Sequence, residues 1–143
     1  MGRILAIDYG TKRIGLAVTD ALQLIASPLK TIHSADAFTF LKSYIAQEHV
    51  EAFVLGEPRH QDGALSGPIE AHENFEKALK RFFPDLPVYK IDERFTSKIA
   101  SQTIAMSGKT KKKKQNKEEI DLIAATIILQ SYLEQRFFAD GRK

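Results

Sequence analysis

Three carboxylates end or interrupt apolar segments of this 143-residue chain: Asp8 in ILAIDYGTKRIGLAV, Glu93 in VYKIDERFTS and Asp121 in EEIDLIAATIILQ. An acid that closes a buried strand, or lies on the apolar face of a helix, costs several kcal/mol unless something pairs with it. The fold must therefore partner each acid separately or bring them together. Brought together, they make a natural site for divalent cations. Mg²⁺ and Mn²⁺ prefer oxygen ligands and are held by a few carboxylates, with water or substrate phosphate completing the shell. Such a site suits metal-dependent phosphodiester chemistry.

The periodicity along the chain supports that gathering. Residues Ile4–Asp8 read as a buried strand, Tyr9-Gly10-Thr11-Lys12 as a turn, and Ile14–Thr19 as a strand returning antiparallel. A third strand is expected over about Leu29–Ile32, and helical spacing runs from Phe38 through Leu41 and Ile45 to about His49. Ala52–Leu55 is a fourth strand, ending at Gly56-Glu57-Pro58, and Arg59–Gly67 is a polar loop. Ser66 and Pro68 start a helix that runs to about Phe83, before Pro84. Val88–Ile91 is the fifth strand, and Thr96 or Ser97 caps a short helix to about Met106. A basic loop over Ser107–Lys117 leads into a last helix from about Glu118 to Phe138. This order predicts an α/β domain over 1–143, a mixed sheet of about five strands flanked by helices. Catalytic groups in such folds collect at the carboxyl ends of strands, where Asp8, Glu57 and Glu93 all fall.

Composition narrows the chemistry further. The chain has no cysteine, which excludes disulfides, thiolate nucleophiles and Cys-ligated zinc, and fits a reducing compartment. Its four histidines show no ligand spacing. No signal-peptide pattern opens the sequence, and no apolar run approaches the roughly 18 residues that span a bilayer. A cytoplasmic protein without membrane partners is the expectation. The formal net charge of +3 is uneven: Lys109, Lys111, Lys112, Lys113, Lys114 and Lys117 contribute +6, leaving −3 for the rest. A basic run beside an acidic site suits a polyanion, with lysines on its phosphates and metals masking the carboxylates. A solvated loop would have the same composition.

Among the motifs, Asp8-Tyr9-Gly10-Thr11-Lys12-Arg13-Ile14-Gly15 is the strongest. Gly10 permits a tight turn and close backbone approach. Thr11 and the backbone N–H groups can meet phosphate oxygens, and Lys12 and Arg13 add positive charge. Asp92 and Glu93 end the fifth strand on opposite faces, so one of the two is expected to point into the site. Acids before a helix start are also favourable for the helix itself. Asp121 shares a helical face with Ala124, Ala125 and Ile128, and two alanines allow close approach to a sheet. Glu57 is either a fourth ligand or a loop residue before Pro58.

Together these segments resemble the YqgF family, also called RuvX, described as Holliday-junction resolvases and as pre-16S rRNA processing nucleases. The matching pieces are IDYGTKRIGLAVTD at 7–20, VLGEPRHQDG at 54–63, IDERFTS at 91–97 and EIDLIAATIILQSYL at 119–133, in family order. The resemblance implies a ribonuclease H-like fold related to the resolvase RuvC. It implies an acidic catalytic and metal-binding site at Asp8, Glu93 and Asp121, holding Mg²⁺ or Mn²⁺ for two-metal hydrolysis. Asp8 would bridge the ions, with Glu93 and Asp121 each favouring one. Many relatives carry an apolar residue where Glu57 stands. Gly10, Thr11, Lys12, Arg13, Arg94 and the lysines at 111, 112, 113 and 114 would hold the nucleic-acid backbone without reading its sequence. The implied substrates are pre-rRNA, with the ribosome or its precursor as partner, or branched DNA.

Two other functions fit parts of the pattern. Asp-x-Gly-Thr after a strand also opens the phosphate-binding hairpin of actin-like ATPases and sugar kinases, but those enzymes enclose nucleotide between two such domains. A ribosome-assembly factor that binds RNA without cutting it would need the lysine loop and only a structural ion. The loop itself makes a measurable prediction. Replacing Lys111, Lys112, Lys113 and Lys114 by Ala should weaken nucleic-acid binding at low salt and flatten its salt dependence, each lost phosphate contact removing about 0.7–0.9 from the log–log slope. Binding across a salt series checks it, and an unchanged slope would make the run a solvated linker.

Overall fold

The computed structural model describes residues 2–57, 69–92 and 117–140, with the side chains of the last segment described over 122–136. Five strands form one sheet: β1 Arg3–Asp8, β2 Arg13–Thr19, β3 Ala26–His33, β4 Val50–Glu57 and β5 Val88–Asp92, in the order β3-β2-β1-β4-β5. The strand β1 pairs antiparallel with β2 and parallel with β4, which in turn pairs parallel with β5. The expected mixed sheet is present. Among the described residues three helices cover it: α1 Ala37–Gln47, α2 Ile69–Phe82 and α3 Lys117–Asp140, with a 3₁₀ turn at Ser34–Asp36 leading into α1. The expected short helix over 96–106 and the lysine loop lie outside the described residues, as do Glu93 and Arg94. Among the described residues no helix is long and apolar enough to cross a membrane.

Strand β1 is apolar on both sides because both sides are covered. Leu5 and Ile7 join Ile14, Leu16, Phe53 and Leu55 against Leu41 of α1 and Phe75 and Leu79 of α2. Ile4 and Ala6 point the other way, with Ala17, Ala52, Val54 and Ile91, and meet Ala125, Ile128 and Leu129 of α3. The two layers differ in grain. The α1/α2 side is filled by large side chains, including ring pairs such as Phe38–Phe75 with centroids 5.3 Å apart. The α3 side is built from four alanines among branched aliphatics, so the helix backbone lies close to the sheet.

The end of the sheet where β1 begins is fastened by polar groups. The Asp20 carboxylate accepts backbone hydrogen bonds from Leu24 and Ile25, both 2.9 Å, and from Leu22 at 3.3 Å. Those bonds, led by Ile25 and Leu24, hold its pKa below the ordinary value. They fold the β2–β3 connection so that Gln23 adopts φ 61°, a left-handed conformation uncommon outside glycine. Its buried side chain donates to the Gly2 carbonyl at 2.7 Å and to the Glu51 carboxylate. Strand β3 begins three residues earlier than its apolar run. It bulges at Leu29, because Leu16 pairs with Lys30 and Ala17 with Pro28. Proline cannot donate to a ladder, and an edge-strand bulge is a position that tolerates it.

Helix α2 is tied to β5 by charge. Lys90 Nζ lies 3.1 Å from Glu76 and 3.8 Å from Glu57, and Lys80 Nζ lies 2.9 Å from Glu76. Burial alone would raise the Glu76 pKa, but hydrogen bonds from Lys80 and Lys90 outweigh it, so the carboxyl sits below its ordinary 4.5. A depressed carboxylate pKa stabilises the fold above the unfolded value, and that contribution is lost as pH falls through the folded value. Glu76→Gln should therefore lower the urea midpoint at pH 7, and the gap to wild type should close as pH drops below 4.5. A gap independent of pH would place the effect in packing rather than charge.

The β1–β2 turn generates a second expectation. A Cβ added at Gly10 would lie 2.5 Å from the Arg13 carbonyl oxygen, a backbone atom that cannot swing aside. Gly10→Ala should cost about 1–3 kcal/mol in chemical denaturation, and a loss below 0.5 kcal/mol would show that the turn re-forms.

Candidate active site

Asp8 is the last residue of the central strand, and the register sets its surroundings. It pairs across β2 with Gly15, and the step Ile7↔Leu55 brings it alongside Gly56 of β4. Strand alternation puts Asp8 in phase with Ile4 and Ala6, on the side that α3 covers. Neither flanking glycine offers a side chain that could fill the space beside the carboxylate. Asp121 is the fifth residue of α3, one turn before Ala125, the alanine that meets the sheet on this same side. The Asp121 side chain, Glu93 and Arg94 fall outside what is described. Among the described residues no three His, Asp or Glu side chains gather into a metal-binding group.

The other strand-end acids face away from Asp8. Glu57 is in phase with Phe53 and Leu55, which pack toward α1 and α2, and it lies 3.8 Å from Lys90. Asp92 pairs with Glu57 and, two residues after Lys90, shares that face. Strand phase thus separates both from Asp8, the alternation expected of the Asp92-Glu93 pair. A fourth ligand at Glu57 would have to reach across the sheet, and the residue ends β4 rather than lying in a loop.

The turn after Asp8 is held from two directions. Ser34 donates its backbone N–H to the Lys12 carbonyl at 3.0 Å and its hydroxyl to the Thr11 carbonyl at 2.6 Å. Thr11 and Lys12 are exposed and Arg13 half-buried, so the candidate phosphate-binding residues Gly10, Thr11, Lys12 and Arg13 lie at the same end as Asp8. On the opposite face Tyr9 stacks on Phe75, centroids 4.6 Å apart, and meets His72 edge-on at 5.6 Å. His72 Nε2–H donates to the Gly56 carbonyl at 2.9 Å, which fixes the end of β4 beside Asp8. Sequence reasoning sought metal-ligand spacing among the histidines and so missed this backbone contact. It also passed over Lys30 and His33, whose strand reads only weakly in the sequence. These two residues line a cleft with Arg13 at the same end of the sheet.

This arrangement matches known proteins at two levels. The family model described as "RuvX: Holliday junction resolvase" matches residues 2–135. A protein of Amoebophilus asiaticus named "Putative pre-16S rRNA nuclease" is 50% identical over 133 residues, 93% of this chain and 94% of its own. A Flavobacterium johnsoniae protein of the same name is 50% identical over 138 residues, covering 96% of this chain and all of its own. Among solved structures, Thermus thermophilus RuvC, also solved in complex with Holliday junction substrate, superposes with TM-scores of 0.56 and 0.57. It covers 94% of this chain and 96% of its own at 14–15% identity, a likeness of fold. On a ribonuclease H-like sheet, with the family pattern running from residue 2 to 135, the chain belongs to the RuvX family.

Proposed function

We propose that the protein is a metal-dependent nuclease that hydrolyses phosphodiester bonds at Asp8, Glu93 and Asp121, acting in the cytoplasm on the 5′ end of pre-16S rRNA. The observation that carries this reading is the position of Asp8. A carboxylate ends the central strand on the side covered by α3, between two glycines, and Asp121 lies on that helix one turn before Ala125, which meets the sheet on the same side. An all-oxygen donor set of this kind fits Mg²⁺ or Mn²⁺. When bound, such ions supply a nucleophilic water at neutral pH and stabilise the leaving oxygen. Asp8, Glu93 and Asp121 would hold them. Lys12, Arg13, Arg94 and the lysines of 111–114 would grip neighbouring phosphates, orienting the strand without selecting its bases.

The rRNA substrate is favoured by relatives that are half-identical along nearly their full length and carry that name. The family description supports a second reading, cleavage of four-way DNA junctions. Incubation with pre-16S rRNA and with a four-way junction, each in Mg²⁺ and in Mn²⁺, separates the two. Asp8→Asn should abolish cleavage of the true substrate, leave nucleic-acid binding in place, and keep or slightly raise stability without metal by relieving repulsion among like charges. Wild-type rates in Asp8→Asn would refute the acidic-site mechanism. Binding without cleavage of either substrate by the wild type would favour an assembly factor instead.

A further inference from the structure

The edge of the sheet carries a basic cleft that the acidic site does not use. It has a volume of about 240 Å³ and lies at the β3 edge, lined by Arg13, Lys30, Thr31, Ile32, His33 and, as its single acid, Asp36. Register places it. Arg13 pairs with His33, and Gly15, the partner of Asp8, pairs with Thr31. Asp8, Gly15 and Thr31 thus form one row across three adjacent strands. At the usual strand spacing Thr31 lies about 10 Å from Asp8. The Ser34 bonds to the Thr11 and Lys12 carbonyls lock the basic turn against this edge, so Lys12 approaches the same end. Lys30 is exposed and pairs with Leu16, so it approaches the edge from the α1 side, its ammonium 5.4 Å from the centre of the Phe40 ring.

We propose that this cleft binds a backbone phosphate of the nucleic-acid strand whose scissile bond lies at Asp8, with Lys30 and His33 as phosphate contacts beyond those of the β1–β2 turn. Three considerations carry it. The lining carries two cations, Arg13 and Lys30, and an imidazole, His33, against one acid, Asp36. The volume holds on the order of eight waters at about 30 Å³ each, enough for a phosphate and part of its sugar. The cleft shares Thr31 with the Asp8 row, and Arg13 and His33 are in phase with it, so a strand that crosses the sheet from Asp8 meets the edge there. Ligand and site share phosphodiester chemistry, whether the strand is RNA or DNA.

The proposal rests on the nuclease reading, and a binding measurement keeps the two separable. Fluorescent single-stranded RNA, and DNA of the same sequence, are titrated with the full chain in EDTA across about 50–200 mM salt. Lys30→Ala should weaken binding several-fold at the low-salt end and lower the log–log slope by about 0.7, one phosphate contact. Lys30→Arg should restore both, and Lys30→Ala/His33→Ala should lose more than Lys30→Ala. An effect on both probes identifies the shared phosphate chemistry, and an effect on one identifies its source. Wild-type affinity and slope in Lys30→Ala would overturn the cleft. So would an equal loss in Lys30→Arg, which would trace the effect to packing on Phe40, or a wild type that binds neither probe. If the variants behave as expected while the wild type cuts neither pre-16S rRNA nor the junction, the nuclease reading fails and the cleft stands.

Discussion

Burial of β1 from both sides is the constraint on which the rest of the molecule depends. Leu5 and Ile7 anchor one layer and Ile4 and Ala6 the other, all at most 1% exposed. A strand so placed needs two hydrogen-bonded neighbours and two coverings. Strand β2 supplies the antiparallel neighbour, β4 the parallel one, and α3 stands opposite α1 and α2. Any residue that ends such a strand emerges at the seam between the layers, half in water and half against protein. Asp8 is that residue. Its carboxylate is half-buried there, at the end of a strand packed on both sides.

Electrostatics divides the molecule by location. At the beginning of β1, acids are satisfied by the chain itself: Asp20 by backbone N–H groups, and Glu51 by Gln23 and the Gly2 N–H, which lower its pKa. Between α2 and β5, Glu76 and Glu57 are matched by lysines. At the end of β1, in the turn after Asp8, Lys12 is exposed and Arg13 half-buried. Asp8 lies at that end beside Gly15 and Gly56.

The sequence revealed the central strands because Ile4–Asp8, Ile14–Thr19 and Ala52–Leu55 are continuous apolar runs, a pattern that two-sided burial demands. It singled out Asp8 because an acid following three apolar residues breaks the run, and the structure puts Asp8 at the end of the central strand. Strand β3 was legible only from Leu29 to Ile32. Ser27 and Pro28 at its start are exposed on an open edge, where no core imposes a pattern. The role of Gln23 was invisible because its partners, Gly2 and Glu51, are distant in sequence, and a glutamine in a left-handed turn carries no local signature. Glu57 was ambiguous for a related reason. Its place at a strand end was readable, but its face follows from the packing of Phe53 and Leu55, and that is settled in three dimensions.

The alanine-lined layer beneath α3 has a consequence for how the site could drift. Ala6, Ala17, Ala52 and Ala125 act as spacers of minimum thickness, so the height of the helix above the sheet is set by methyl groups and by no polar contact among them. Asp121 rides on that helix about 6 Å along the axis from Ala125. Enlarging any one spacer by a methylene or two would tilt or lift α3 and carry the acid with it, with every charged group still in the sequence. The placement of Asp121 relative to Asp8 is therefore governed from the core. Substitutions buried in this layer would be the ones that shift it while leaving a folded protein.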